Sequence, residues 1–244
     1  VQPDSGMKNA DALERFPEFV RNVGADFAYF WPETILSIGI AWVILADVFR
    51  ARPDPRKSGW CAMTTLIAAL VALFLRSAPE HAVPYFSGML IADGFGHFFK
   101  IVLLGGTALV VPMVLMHPGF QNRRMGEFYG LLLGAVLGMF LMVSSKNLLM
   151  FYLSIEFASI TCYLLTAYQK EDRAAAEGGM KYVIYGAISS GLMIYGLSFL
   201  YGITGSLDIQ AISRELLVTH VADKTLIVAG LLAFAGFAYK IAAF

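Results

Sequence analysis

From Trp31 onward, apolar stretches long enough for one helix across a bilayer alternate with short polar connections. A bilayer span needs about 20 mostly apolar residues. Seven stretches approach that length: residues 31–48, 60–75, 98–116, 128–143, 148–168, 180–201 and 224–244. Aromatic residues such as Trp31 and Trp60 flank the shorter ones, where indole rings favour the membrane–water boundary. The pattern predicts an all-α, polytopic helical membrane protein with about seven transmembrane helices. It divides into a polar tail over 1–28, three spans over 29–126 and four more over 127–244. The tail has no apolar core, so it is not a secretory signal peptide.

Composition sharpens this picture. Hydrophobic residues make up 58% of the 244 and charged residues 15%, against roughly 25% charged in soluble domains. Net charge is zero, and no Lys/Arg block interleaved with aromatics appears, so a nucleic-acid partner is not expected. The lipid bilayer is. Arg50, Arg52, Arg56 and Lys57 follow the first span, Arg123 and Arg124 the third, and Lys170 and Arg173 the fifth. The alternate loops carry only Arg76, Lys146, Arg214 and Lys224. The first set therefore faces the cytoplasm, or the matrix-like side of an organelle.

Charges inside the spans carry the candidate chemistry. Glu156 stands near the middle of the fifth apolar run, where water cannot solvate a carboxylate. An ionisable group at that depth is a functional candidate by default. It could titrate or pair in a proton route, or stay neutral and hydrogen-bonded to Ser154 or Ser159. Lys240 lies about 24 Å into the seventh span at 1.5 Å per residue. Lysine loses its proton on burial more readily than arginine does, which suits Lys240 as the partner of Glu156 in a proton relay; a snorkelling lysine is the alternative. Lys181 follows Gly178–Gly179 at the start of the sixth span, either as a relay group or as an interfacial anchor. Asp93, His97 and Lys100 share one helical face at the entry to the third span and read as a wet interfacial cluster. Asp47 and Arg50 are spaced for a surface ion pair.

Other features read as structural. Gly130, Gly134 and Gly138 form a small-residue stripe that lets another helix approach closely. Cys61 and Cys162 lie in different spans and read as packing residues. His81, His117 and His220 fall in loops without metal-ligand spacing, so no metal site is expected. No nucleotide-binding or haem-attachment motif is present, and no residue is assigned to covalent catalysis. The chain starts without methionine and stops inside an apolar segment, and is expected to be part of a longer protein.

The run from Glu127 onward resembles the subunit N family of proton-pumping NADH:quinone oxidoreductases, the antiporter-like membrane subunits of respiratory complex I. The similarity rests on IEFAS at 155–159, GGMKYVIYGAISSG at 178–191, YGITGSL at 201–207 and GFAYKIAAF at 236–244. Upstream, WPETILSIGIAWVILADVF and FSGMLIADGFGHFFKI resemble the family's first and third spans. The match is closer to subunit N than to its paralogues L and M. The resemblance implies a fourteen-helix fold of two inverted five-helix repeats, of which this chain reaches into the first. It also implies that Glu156, Lys181 and Lys240 are the family's fifth-, sixth- and seventh-helix ionisable residues. The family's Pro-Phe-His continuation and later buried lysines are absent, and GFAYK departs from the commoner Gly-Phe-Lys spacing.

The function implied is a non-redox subunit of a translocase, in which quinone reduction elsewhere drives proton movement through buried Glu and Lys residues. Flavin, iron–sulfur clusters and quinone are then expected in partner subunits, with other complex I membrane subunits, antiporter-like paralogues included, as neighbours. The bacterial inner membrane is the expected location, the mitochondrial inner membrane the alternative. An Mrp-type cation/proton antiporter subunit and a truncated structural subunit are the competing functions.

Overall fold

The computed structural model describes residues 24, 26–49, 54–76, 78–117, 125–218 and 223–242. Arg50, Arg52, Arg123, Arg124, His220 and most of the polar tail lie outside these. The elements are α1 (Trp31–Val48), α2 (Pro55–Leu75), β1 (Val83–Tyr85), β2 (Leu90–Ala92), α3 (Gly94–Met116), α4 (Gly126–Val143), α5 (Leu148–Thr166), α6 (Arg173–Thr204), α7 (Ile209–Val218) and α8 (Asp223–Lys240). The helices α1 to α6 are each long and apolar enough to cross a membrane. The seventh apolar stretch, α8, is 18 residues long and carries Asp223, Lys224 and Lys240 near its two ends.

Helix boundaries follow side-chain caps. The carboxylate of Asp54 accepts from the amides of Arg56 and Lys57, with Pro55 as the first helical residue of α2. Asp93 caps α3, Asn147 caps α5 and Asp172 caps α6 in the same way. Each satisfies amides that a helix start leaves without partners. Gly205, at φ 64°, ends α6 in the left-handed conformation, which glycine adopts without strain.

Neighbouring helices run antiparallel, as their close approaches show. Gly39 faces Thr65 between α1 and α2, Gly130 faces Ile44 between α4 and α1, and Gly138 faces Ala158 between α4 and α5. Gly186 faces Tyr163 between α6 and α5, and Gly236 faces Met193 between α8 and α6. One core, including Leu36, Leu66, Leu104, Tyr129, Leu133 and Phe140, unites α1 to α4. A second, around Ile155, Met193, Leu197 and Ala233, unites α5, α6 and α8. Large apolar side chains such as Trp42, Phe74, Met113 and Phe234 point outward, as a lipid or protein environment requires.

On the side poor in Lys and Arg, the connections are folded onto one another. The β1–β2 hairpin, in register Val83 to Ala92, docks on the end of α4 through the Ile91 amide to the Ser144 carbonyl at 2.7 Å. The Met89 carbonyl accepts from Lys146 and Asn147. Lys146 then pairs with Asp208 at 3.0 Å, ahead of α7. Neither the hairpin nor α7 was expected from hydropathy, because both fall in stretches that read as loop. The start of α6 is also earlier than the apolar pattern implied, since the polar turns after Asp172 are helical.

Candidate functional site: a partly buried ion pair between helices

Three helices bring the site together halfway through the bundle. Glu156 comes from the middle of α5, Ser190 from the middle of α6 and Lys240 from the last turn of α8. Lys240 Nζ lies 3.1 Å from Glu156 Oε1, with side-chain exposures of 11% and 20%. The same carboxylate oxygen accepts from Ser190 Oγ at 2.6 Å. Lys240 Nζ also donates to Ser159 Oγ at 2.9 Å and to Tyr163 Oη at 3.0 Å, and stands 5.5 Å from the Tyr163 ring centre. Ser154 takes no part, because its hydroxyl donates to the Met150 carbonyl.

The sequence builds this arrangement from helical spacing. Glu156, Ser159 and Tyr163 are three and four apart, so they line one face of α5. Gly186 on α6 leaves room for the tyrosine: a Cβ there would stand 2.1 Å from Tyr163 Oη. Gly236 does the same for the α6–α8 crossing, where its carbonyl also accepts from Ser189 Oγ at 3.2 Å. The α-helical pattern ends at Lys240: Ile241 and Ala242 form a turn with Ala242 at φ 53°. The ammonium group therefore sits at a helix C-terminus, where the peptide dipoles favour a cation.

Such a set can hold and redistribute a proton. The carboxylate and ammonium stabilise each other's charge, and protonating Glu156 would release Lys240 towards the hydroxyls of Ser159 and Tyr163. Those hydroxyls can each donate and accept. Ser190 and Tyr163 were not singled out from sequence, although their spacing from Gly186 and Glu156 was visible.

The other candidates are placed differently. Lys181 lies in the third turn of α6 and pairs with Glu177 at 2.5 Å with both side chains more than half exposed. It does not join the Glu156–Lys240 cluster. Within the glycine stripe, a Cβ at Gly138 would lie 2.8 Å from the Ala158 nitrogen, and one at Gly134 would lie 3.2 Å from Thr161 Cγ2. Cys61 and Cys162 are half-buried. Asp47 is buried and accepts from Ser58 Oγ at 2.8 Å, so it is not a surface group. The cluster at the start of α3 is more tightly partnered than its spacing implied. Asp93 is the helix cap, while Lys100 is 7% exposed because Glu33 of α1, fully buried, neutralises it at 2.5 Å.

Residues 145–244 match the family described as NADH:quinone oxidoreductase/Mrp antiporter, TM. The chain is 37% identical over 223 residues to "NADH-quinone oxidoreductase subunit N" of Anaeromyxobacter sp. (strain Fw109-5), covering 88% of this chain and 43% of that protein. It is 39% identical over 230 residues to the protein of the same name from Chlorobium chlorochromatii (strain CaD3), covering 92% and 44%. A chain of respiratory complex I from Thermus thermophilus, solved with bound aureothin, shares the fold with a TM-score of 0.66 at 24% identity, over 85% of this chain and 43% of that one.

With the geometry above, these similarities describe an integral membrane protein whose residues 145–244 match the antiporter-like family. Within the class the chain is similar to subunit N over most of its length. It spans somewhat under half the length of the curated relatives it matches. Those relatives are bacterial, which places the chain in a bacterial inner membrane.

Proposed function

We propose that this chain forms part of a proton-translocating membrane subunit of an NADH:quinone oxidoreductase, with Glu156 and Lys240 as its proton-handling pair. The observation that carries this reading is the mid-bundle ion pair joined to Ser190, Ser159 and Tyr163. A stabilising clamp needs no ionisable groups at that depth, since apolar packing does as well or better than a buried pair. A pair that can be made and broken is useful for moving charge.

In this reading the chain itself performs no redox step. Flavin, iron–sulfur clusters and quinone reside in partner subunits, and antiporter-like paralogues flank it in the membrane. Lys181 would join the route where a neighbouring segment covers the open face of α6. An Mrp-type antiporter subunit is the second reading, favoured by the family description that embraces both.

Purification through a tag on the full-length protein separates them. The expected result is co-purification of flavin and iron–sulfur proteins with NADH:quinone oxidoreductase activity. Isolation of an assembly without those redox groups that exchanges sodium for protons, without NADH, would overturn it in favour of the second.

A further inference from the structure

A second buried ion pair lies apart from the first, between α1 and α3 near the β-hairpin. Glu33 is in the first turn of α1 and fully buried; Lys100 is the seventh residue of α3. They approach to 2.5 Å, yet neither carboxylate oxygen accepts a well-directed hydrogen bond. Phe140 of α4 stacks below the ammonium at 5.6 Å. Nearby, the hydroxyls of Tyr85 on the hairpin and Ser144 after α4 are buried against each other.

A crevice of about 60 Å³ reaches this place, with Lys100 and Ser144 among its lining residues. A water needs about 10–15 Å³ of such volume and two to four polar partners, so the crevice has room for about four. Tyr29, Arg76, Asp93 and His97 are among its other lining residues. Among the described residues, the charged or titratable groups facing the pair are these together with Tyr85 and, close to Tyr85, Asp26. Burial, and then the Glu33 charge, push the Tyr85 phenol well above its ordinary range, so it remains a hydroxyl donor.

We propose that Glu33 and Lys100 form a second, hydrated proton-exchange centre, open to the aqueous phase on the hairpin side. Lys100 faces the crevice and Glu33 lies behind it. In one exchange, Lys100 passes a proton to Glu33 and regains one from a hydronium ion in the crevice. The net change is hydronium to water and carboxylate to neutral carboxyl, with the ammonium restored; reversal returns the proton. Crevice waters reach Lys100 and Ser144 and provide the path outward. A dry clamp between α1 and α3 would need no crevice opening onto Lys100, and would not leave both Glu33 oxygens without a well-directed hydrogen bond.

The test uses the assembled complex in membranes. Ser144→Cys, in a background with Cys61→Ala and Cys162→Ala, is treated with a small anionic methanethiosulfonate that cannot cross the bilayer, because Arg76 and Lys100 attract an anion. Modification from the hairpin side should be at least about tenfold faster than at Val136→Cys, a dry core position of equal burial. Infrared difference spectra of the purified complex should show a protonated-carboxyl band that grows on acidification and is missing from Glu33→Gln. Should Glu33→Gln fail to assemble with Lys100 left unpaired, the charge-balanced Glu33→Gln/Lys100→Met variant must lack the same band. Equal reactivity at the two cysteines, or spectra identical to those of the unsubstituted protein in these variants, would overturn the proposal.

Discussion

Gly186 is the position where a single added methyl group should damage the site without touching a charge. A Cβ there would fall 2.1 Å from Tyr163 Oη and 2.5 Å from its Cζ, where real contacts do not come below 3.0 Å. The tyrosine must therefore move by about 1 Å in a well-packed interior. It is 6% exposed and its ring packs on Tyr182 at 4.5 Å, so no easy displacement is open. Overpacking of this kind costs about 1–3 kcal/mol. The hydrogen bond from Lys240, now 3.0 Å, is charge-assisted and is worth about 1.5–3 kcal/mol. These effects overlap, and Gly186→Ala should destabilise by at least ~2 kcal/mol. Gly191 on the same helix is the control, because nothing lies within 4 Å of its Cβ position. Gly191→Ala should be neutral or stabilising by up to ~1 kcal/mol through helix propensity. The assay is the fraction of each variant retained in assembled complex after graded heating in detergent. Equal retention of the two variants would refute this reasoning about the α5–α6 contact.

Two further outcomes follow from packing and charge. Gly138→Ala should lower the yield of assembled complex more than Gly134→Ala, because the first meets backbone of Ala158 and the second a rotatable Thr161 methyl; Gly134→Leu should also harm assembly more than Leu132→Ala. Asp208 is held below its ordinary carboxylate value of 3.8 first by the Ala211 amide and then by Lys146. Its stabilising contribution is thus present above that value and lost as pH falls through the lower folded one. A spin label at Leu217→Cys, 86% exposed on α7, should keep constant mobility down to about pH 4 and loosen below it. In Asp208→Asn the label should be mobile at neutral pH as well, and matching pH profiles in both proteins would exclude Asp208 as the anchor.

The spans and Glu156 were legible because both are local signals. An apolar run of helix length states its environment, and a carboxylate in its middle contradicts that environment. Lys240, 84 positions away, was legible as the candidate partner of Glu156 from its depth and chemistry, and the structure brings the two together. Ser190, 34 positions away, was harder, because nothing local says which helices adjoin. Glu33 was passed over because it follows Trp31 and Pro32 at a span edge, where a carboxylate is expected to meet water. Only the approach of Lys100, 67 positions away, explains its burial. The start of α6 was hidden by the polar turns after Asp172, and the hairpin by segments of three residues each, too short to establish alternation.

The most direct measurement is proton uptake alongside NADH:quinone turnover in inverted membrane vesicles carrying Glu156→Ala or Lys240→Ala in the assembled complex. Both substitutions should lower pumping and turnover together, because electron transfer slows when the pair it drives cannot respond. Glu156→Asp, which keeps the charge and retracts it by one methylene, should fall less. Assembly must be quantified beside them, since removing one partner of a buried pair costs about 3–5 kcal/mol. Wild-type pumping and turnover in both alanine variants would contradict the assignment of Glu156 and Lys240 to proton translocation.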